Sequence, residues 1–320
     1  MRILITGAAG FVGQHLAREL LKDASHSLIL TDIVEPAVPR NAKNSGNATC
    51  IQADLSSESA KVVTQDLDAA FVFHGIMSSG SEANFELGLS VNVDATRALL
   101  DTMRTTCPGV KVIYASSGAV YGQPLPEVVT EAVVPTPESS YGAEKMICEY
   151  LINEYTRRGF ITGFSLRFPT ITVRPGKPTA AASSFLSGMI REPIAGKECV
   201  IPVRDREFRA WLCSPRTLVH NLLVALGLPR DALPPHIRAL NIPGFAASIQ
   251  EMMDALAEVG GADKLALLKE EEDPAMKRIL LSWAAKYDNS KALALGMKAD
   301  TSFVEVVRDY VGSLTAETSE

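Results

Sequence analysis

Hydrophobic positions along the first half of the chain fall into two kinds of block. Short apolar runs occupy residues 2–6, 28–31, 48–53, 69–74 and 110–115, and longer stretches with helical patterning lie between most of them. Apolar runs of four to eight residues bounded by turn residues predict buried strands, whereas apolar residues at three- and four-residue intervals predict amphipathic helices. The regular alternation of the two therefore predicts a parallel sheet with helices on both faces.

The first strand leads directly into a glycine turn and then into a helix. Gly7, Gly10 and Gly13 follow the strand, and Phe11–Val12 opens the helical pattern. The unpaired N–H groups and the positive dipole end of such a helix bind anions. The first glycine permits the tight turn, the second lets the backbone approach a pyrophosphate, and the third lets helix and strand pack closely. This context predicts a dinucleotide site.

An acid at the end of the second strand indicates which dinucleotide binds. Asp32 follows the glycine turn at the end of the apolar run 28–31. An acid at this position accepts hydrogen bonds from the ribose hydroxyls and repels a 2′-phosphate, which favours NAD over NADP. Asp54 ends the third strand, where it either accepts a hydrogen bond from the adenine amine or caps the following helix. The sequence leaves those two interpretations open.

Several polar or glycine residues are expected to converge, because ligands of parallel sheets bind beyond the carboxyl ends of the strands. The residues at these ends are Gly7, Asp32, Asp54, His74 and Ser117. His74 precedes Gly75, and as a lone histidine it is more simply explained by packing than by acid–base chemistry. Asn92 lies inside a predicted helix, where asparagine is unfavourable, so it either holds backbone near the site or faces solvent.

A serine, a tyrosine and a lysine provide the candidate chemistry. Ser117 ends the fifth strand, and Tyr141 and Lys145 lie in a helix that the Ser139–Ser140 pair can cap. Residues four apart share one helix face. A nearby ammonium and an oxidised nicotinamide both favour a phenolate, so we expect the pKa of Tyr141 to fall from about 10 toward neutrality and make it a base. Ser117 would bond the reacting oxygen.

Together these motifs resemble the extended short-chain dehydrogenase/reductases, the NAD-dependent epimerase/dehydratase family. The resemblance rests on the glycine turn, on the segment 116–122, on Tyr141-x-x-x-Lys145, on Arg167–Phe168–Pro169 and on the segment 288–297. It implies a Rossmann-type, doubly wound parallel sheet with a smaller C-terminal substrate domain. It also implies that Ser117, Tyr141 and Lys145 form the catalytic trio, with Lys145 holding the nicotinamide ribose.

The resemblance and the motifs together predict domains and cofactor contacts. Residues 1–169 with about 210–247 are expected to form the NAD-binding domain, and about 170–209 with 248–320 the substrate-binding domain. The predicted NAD-binding residues follow the strand ends and the catalytic helix. They are Gly7, Gly10, Phe11, Val12, Gly13, Asp32, Asp54, Leu55, Gly75, Asn92, Ser116, Tyr141, Lys145 and Pro169.

Composition narrows the classes of partner. The 320 residues are 47% hydrophobic and 21% charged, with a net charge of −6 and no basic block, so we expect no nucleic-acid partner. The N-terminal apolar run is broken by glycines, which speaks against a signal peptide, and no apolar run reaches membrane-spanning length. Five cysteines without C-x-x-C spacing predict neither a disulfide framework nor a metal site. They indicate a reducing compartment and hence the cytoplasm.

Three further features bear on the reaction. A dehydratase is expected to carry an acidic pair just after the serine strand, where this chain has Gly118 and Ala119. The segment 174–185 lacks the long, asparagine-rich insertion typical of nucleotide-sugar binders. Arginines suited to bind a carboxylate surround Trp211, or else they pair with neighbouring acids on a solvated ribbon. They are Arg204, Arg206 and Arg209, with Arg174 in the same predicted domain.

The segments 181–193 and 211–216 are similar to the D-erythronate dehydrogenase branch of the family. That similarity implies NAD-dependent oxidation of the 2-hydroxyl of a small sugar acid to a 2-oxo acid, with Tyr141 as base. The predicted substrate contacts are Ser78, Ser79, Ser117, Tyr141, Arg174 and Arg209. The family also implies a homodimer formed through helices near 84–106 and 140–158. The alternatives are a nucleotide-sugar 4-epimerase, another sugar-acid or L-threonine dehydrogenase, and a non-enzymatic NAD sensor.

Overall fold

A computed structural model describes residues 1–178 and 181–318. Thr179 and Ala180, part of the segment 174–185, lie outside the described residues. The strands are β1 Arg2–Thr6, β2 Ser27–Asp32, β3 Ala48–Gln52, β4 Ala69–Val72, β5 Lys111–Ser117, β6 Thr162–Phe168, β7 Thr170–Ile171, β8 Cys199–Ile201, β9 Arg209–Cys213, β10 Ala239–Asn241, β11 Phe245–Ser248 and β12 Leu268–Glu270.

The helices follow the apolar periodicity for most of the chain. They are α1 Phe11–Leu20, α2 Leu55–Glu58, α3 Ser78–Ala83, α4 Phe85–Gly88, α5 Ala95–Thr106, α6 Ser140–Arg157, α7 Ser184–Ile194, α8 Pro215–Gly227, α9 Ile249–Gly260, α10 Pro274–Leu281, α11 Ser290–Ala294 and α12 Phe303–Thr318. A π-helical segment, Leu89–Asp94, joins α4 to α5. No helix within the described ranges is long and apolar enough to span a membrane.

Seven strands form one parallel sheet in the order β10-β6-β5-β4-β1-β2-β3. One hydrophobic core packs α1 and α8 on the sheet, and a second packs α5 and α6 on it. Strands covered on both faces are apolar along their whole length, as in the fully buried β4. The predicted doubly wound parallel sheet is confirmed.

A second group of elements packs around its own core. It contains the three-stranded sheet β11-β9-β7, the two-stranded sheet β12-β8 and the helices α7, α9 and α12. Ser248 begins α9 with a reciprocal pair of hydrogen bonds to Glu251 that satisfies the first turn of the helix. This capping fixes the start of α9.

Two stretches pack differently from the predicted domain division. The strand β9 lies in the three-stranded sheet, with Ala210 and Leu212 in the core of the second group. Conversely, Ala292 and Met297 pack in the core that contains α1 and α8. The boundaries themselves stay a prediction, and this packing favours assigning β9 to the substrate side and residues 292–297 to the NAD side.

The region from 77 to 106 differs from the expected polar loop followed by a long helix. Ser78–Ala83 forms the helix α3, and Asn84 then ends it with extended backbone and caps α4 by accepting a hydrogen bond from the N–H of Leu87. The predicted single helix is therefore divided into α4, a π-helical segment and α5. Cap residues favour a chain break at Asn84 that apolar periodicity does not reveal.

Candidate active site

The glycine turn is built by close contacts that only glycine allows. Gly7 has a φ of +64°, and a Cβ there would lie 2.7 Å from the carbonyl carbon of Phe73. A Cβ on Gly13 would lie 2.6 Å from the carbonyl oxygen of Gly7, so α1 packs directly against the turn. Gly10 is the N-cap of α1 and has no side chain that could bond the first N–H groups, and Phe11 is the first residue of the helix. The first N–H groups of the helix are therefore free to bind a phosphate.

Asp32 is fixed at the edge of this turn. Its carboxylate accepts a hydrogen bond of 3.0 Å from the N–H of Ala9 and one of 2.8 Å from the N–H of Ile33. The acid is thus held beside the glycine turn, at the carboxyl end of β2. The tight turn, the open helix N-terminus and this acid fit a dinucleotide with an unmodified ribose. When bound, NAD would accept the hydride in an oxidation.

Asp54 caps the helix that follows β3. Its carboxylate accepts hydrogen bonds from the N–H and the hydroxyl of Ser56, which lower the pKa of Asp54 below its usual value. The buried Leu55 begins α2 directly after it. Of the two interpretations left open by the sequence, the structure shows the cap, and an adenine contact by Asp54 stays a prediction.

Ser117, Tyr141 and Lys145 come together at the end of β5. The Ser117 side chain lies close enough to the Tyr141 phenol to act on its pKa. Ser117 also accepts a hydrogen bond of 3.1 Å from the N–H of Ala119. The Lys145 ammonium donates to the carbonyl oxygen of Ala115 at 2.9 Å and lies 5.5 Å from the ring centre of Tyr141. As predicted, Ser139 caps the helix that carries both residues.

The predicted lowering of the Tyr141 pKa depends on a bound, oxidised nicotinamide and stays a prediction, whereas the protein without NAD holds this pKa above its usual value. Burial raises the pKa of Tyr141 to about 12, against the opposing effect of the Ser117 side chain, and the charge of Glu144 raises it further. Burial lowers the pKa of Lys145 to about 8, although Cys148, Glu144 and Glu149 act to raise it. Desolvation disfavours both charged forms, so the four-residue spacing alone does not create a phenolate.

Comparison with known proteins identifies this arrangement. The family model described as "NAD dependent epimerase/dehydratase family" matches residues 3–230. The chain belongs to this family. It is 40% identical over 316 residues to a D-erythronate dehydrogenase of Haemophilus influenzae, covering 97% of this chain and 99% of that protein. It is 41% identical over 323 residues to a D-erythronate dehydrogenase of Cupriavidus necator, covering 97% and 98%.

A solved structure shows the same fold along nearly the whole chain. The crystal structure of the nucleoside-diphosphate-sugar epimerase from Agrobacterium tumefaciens superposes with a TM-score of 0.90 at 36% identity, covering 98% of this chain and 94% of that one. The chain is therefore an oxidoreductase of the NAD-dependent epimerase/dehydratase family that acts on a CH–OH group.

In this member of the family, His74 serves as a neutral packing residue. Its two ring nitrogens lie 2.9 Å from the hydroxyl of Thr6 and 3.2 Å from the hydroxyl of Thr96. Burial, together with the charge of Lys145, lowers the pKa of His74 to about 3. A histidine that stays neutral between two hydroxyls supports the packing interpretation over a role as base.

A buried amide and a buried carboxylate hold the loop beside Lys145. Asn92 accepts a hydrogen bond of 2.7 Å from the N–H of Ile76 and donates one of 3.0 Å to its carbonyl oxygen. Glu144 in turn accepts from the side chains of Asn92 and Ser81. A Cβ on Gly75 would lie 3.7 Å from the Lys145 nitrogen, so this loop passes against Lys145. Asn92 therefore holds backbone, and Glu144 is a site residue that the sequence did not reveal.

A second buried network lies behind Ser116. The hydroxyl of Ser116 donates to Glu149, which also binds Arg167 through two hydrogen bonds of 2.9 and 2.6 Å. Arg167 donates to the hydroxyl of Tyr121 at 2.6 Å. The proton of the Ser116 hydroxyl is thus engaged within the protein. These partners are distant in sequence, so spacing gave no signal for them.

The two predicted carboxylate-binding arginines differ in what they contact. Arg209 is exposed on β9 and forms two hydrogen bonds, of 3.1 and 3.3 Å, with Glu251. Arg174 is half-buried, and within residues 1–178 and 181–318 it forms no ion pair with a carboxylate. Burial and the neighbouring Arg191 both lower the pKa of Arg174. An arginine without an acidic partner can bind an anion.

The remaining predicted contacts are Ser78, Ser79 and Pro169. Ser78 and Ser79 begin α3, where Ser78 is half-buried and Ser79 is exposed. Pro169 is half-buried between β6 and β7, where the chain leaves the main sheet. Within the described residues there is no group of three or more side chains that could hold a metal ion.

Proposed function

We propose that the chain oxidises the 2-hydroxyl of a small sugar acid, such as D-erythronate, to a 2-oxo acid with NAD. The observation that carries this proposal is the similarity to two D-erythronate dehydrogenases at 40% and 41% identity over 97% of the chain. A dehydrogenase needs a group that takes up the hydroxyl proton while the hydride leaves carbon. Ser117, Tyr141 and Lys145 have the residue types and the contacts for that role.

In the proposed reaction Tyr141 accepts the proton of the 2-hydroxyl. Ser117, which lies close to the phenol, would hold the same substrate oxygen and keep it aligned with Tyr141. Burial disfavours the phenolate, so the reactive form depends on nearby positive charge, and the ammonium of Lys145 lies close to the ring. Lys145 is thereby proposed to stabilise the phenolate and to bind the nicotinamide ribose.

Arg174 is the proposed partner of the substrate carboxylate. It is half-buried and has no acidic partner among the described residues, whereas Arg209 is already neutralised by Glu251. A buried guanidinium gains more from a carboxylate than an exposed one does, because solvent screens it less. Ser78 and Ser79 are proposed to contact the substrate hydroxyls from the start of α3.

For the cofactor, we propose that the glycine turn and the start of α1 hold the pyrophosphate and that Asp32 binds the adenosine ribose. The remaining contacts are proposed along the strand ends and the catalytic helix. They are Asp54, Leu55, Gly75, Asn92, Ser116, Tyr141, Lys145 and Pro169. The close packing at Gly7 and Gly13, together with the hydrogen bond from Ala9 to Asp32, supports this placement.

The chain is further proposed to act as a homodimer in the cytoplasm. The two helical regions proposed for the interface carry exposed apolar side chains, which a helix-to-helix contact would bury. They are Phe85, Leu87, Ile147 and Tyr150. All five cysteines are free thiols, which supports a reducing compartment.

The test is NADH production from a panel of 2-hydroxy sugar acids, UDP-sugars and L-threonine, with Tyr141→Phe beside the wild type. We expect turnover of D-erythronate by the wild type and its loss in the variant. The Agrobacterium structure is named as an epimerase, so a nucleotide-sugar 4-epimerase is the second candidate. Epimerised UDP-sugar without net NADH would favour that candidate and contradict the dehydrogenase. Binding of NAD without any turnover would indicate a sensor.

A further inference from the structure

Tyr287 lies beside the catalytic strand although it is distant from it in sequence. The segment around it pairs with Val129: the N–H of Val129 donates to the carbonyl oxygen of Lys286 at 3.0 Å, and the N–H of Asp288 donates to Val129 at 2.9 Å. These two hydrogen bonds fix the backbone on both sides of Tyr287. Its side chain is therefore anchored at its base rather than carried on a free loop.

The hydroxyl of Tyr287 reaches the residue that follows the catalytic serine. A Cβ on Gly118 would lie 2.8 Å from this hydroxyl. Gly118 directly follows Ser117 and is one of the two positions where a dehydratase would be expected to carry an acid. The phenol of Tyr287 therefore occupies the space that a side chain at position 118 would need. It brings a polar group from a different part of the chain next to Gly118, the residue that follows Ser117.

The ring of Tyr287 is held in place by two other aromatic rings. Its centre lies 5.8 Å from that of Tyr121 and 5.5 Å from that of Trp211 on β9. This aromatic group joins the end of the catalytic strand to the three-stranded sheet of the second core. Aromatic packing on both sides restricts the ring, so the direction of its hydroxyl is set before a ligand binds.

The hydroxyls of Tyr121 and Tyr287 differ in their hydrogen bonding. The Tyr121 hydroxyl donates to Asn241 at 3.0 Å and accepts from Arg167 at 2.6 Å. The Tyr287 hydroxyl has no hydrogen-bond partner in the part of the chain that the structure describes. Burial raises the pKa of Tyr287, so it stays a neutral phenol at ordinary pH. A neutral phenol can both donate a hydrogen bond and accept one.

We propose that Tyr287 is a specificity-determining residue whose phenol hydrogen-bonds a hydroxyl of the sugar acid beyond the reacting carbon. The inference rests on the proposed function, because the sugar acid is the substrate that would offer this hydroxyl. A carboxylate is a less suitable partner at this position, because the phenol carries no positive charge. A site built to bond a substrate hydroxyl rejects an analogue without it, since the polar group of the protein is then left unpaired.

The test compares two four-carbon acids that share the reacting end. D-Erythronate carries hydroxyls on C3 and C4, and (R)-2-hydroxybutyrate carries neither. We expect the wild-type enzyme to prefer D-erythronate, and Tyr287→Phe to lower kcat/KM for D-erythronate about tenfold or more. For (R)-2-hydroxybutyrate the same variant should stay within about twofold of the wild type, and its affinity for NAD should not change.

Tyr155→Phe is the matched control, because it also removes a phenol hydrogen bond, to Asp101, but on the far part of α6. It should leave both substrates unaffected. An equal loss of activity on both acids in Tyr287→Phe, or no loss on either, would overturn the role of Tyr287 and leave the dehydrogenase itself standing. Failure of the wild type to oxidise D-erythronate, with turnover of another substrate class, would overturn the proposed function and this inference with it.

Discussion

The Lys145 ammonium donates a hydrogen bond of 2.9 Å to the carbonyl oxygen of Ala115, on the strand that ends in Ser117. This bond joins α6 to β5. It also places the ammonium 4.7 Å from the ring centre of Tyr114 and 5.5 Å from that of Tyr141. In this position the ammonium is buried, and no carboxylate lies within ion-pair distance of it in the described chain.

This buried cation should leave a signature in the pH dependence of stability. The pKa of Lys145 is about 8 in the folded protein and 10.5 by its ordinary value, so between these values the unfolded chain binds more protons. Stability contributed by this group must therefore rise with pH across that window. Relative to Lys145→Met, we expect the wild type to gain about 3 kcal/mol of unfolding free energy between pH 7 and 10.5.

Urea unfolding of both proteins at a series of pH values measures this difference, and the subtraction cancels the titration of groups that Lys145 does not influence. Lys22→Met is the control, since Lys22 is an exposed lysine paired with Glu19. Its curve should run parallel to that of the wild type. A parallel curve for Lys145→Met as well would mean that the lysine is not desolvated in the folded protein.

Glu144 should act on the pH dependence of catalysis through its charge. Its carboxylate raises the pKa of Tyr141 and that of Lys145, in addition to holding Asn92 and Ser81. Proton uptake by Tyr141 requires the phenolate, so oxidation should accelerate with rising pH. Glu144→Gln removes the negative charge and should shift this rise toward lower pH. The other ionisable groups close to the trio, His74, Tyr114, Cys148 and Glu149, stay in place.

The measurement is kcat/KM for D-erythronate from pH 6 to 10 in the wild type, Glu144→Gln and Ser81→Ala. Ser81→Ala removes one hydrogen bond to Glu144 but keeps its charge, so a purely structural effect would lower activity without moving the profile. Glu154→Gln, on the exposed face of the same helix, is the control for charge at a distance. Superimposable profiles for Glu144→Gln and the wild type would contradict the electrostatic role.

Asp32 should determine the preference for NAD over NADP. Its carboxylate is fixed by the N–H groups of Ala9 and Ile33, and it would repel a 2′-phosphate placed at the ribose site. Asp32→Ser removes the charge but can still contact a ribose hydroxyl. We expect the ratio of kcat/KM for NAD to that for NADP to fall about tenfold or more, mainly because NADP is used better. An unchanged ratio would place the adenosine ribose elsewhere. Asp66→Ser, at an exposed position beside Arg2, should leave the ratio as in the wild type.

The parts of the site that the sequence predicts are those set by local spacing. The glycine turn, Asp32 and the Tyr141–Lys145 pair each depend on residues close in sequence to a strand end or a helix start, so their patterns are readable. Glu144 accepts a hydrogen bond from Asn92, and the hydroxyl of Tyr287 lies beside Gly118. These pairs are distant in sequence, so only the folded chain brings them together. The raised pKa of Tyr141 in the protein without NAD could not be predicted for the same reason, because burial is a tertiary property that spacing does not contain.

Arg174 and Arg209 allow a matched comparison, because only Arg174 is proposed to bind the substrate carboxylate. Removal of a charge-assisted hydrogen bond to a substrate costs about 1.5–3 kcal/mol, so Arg174→Met should raise the KM for D-erythronate about 10- to 100-fold. The KM for NAD should not change. Arg209→Met removes a guanidinium that Glu251 already neutralises, and it should leave both constants within about twofold of the wild type. Steady-state kinetics with each substrate varied in turn measures all four values. The reverse result, a loss in Arg209→Met alone, would move the carboxylate site to β9 and require Glu251 to release its arginine when the acid binds.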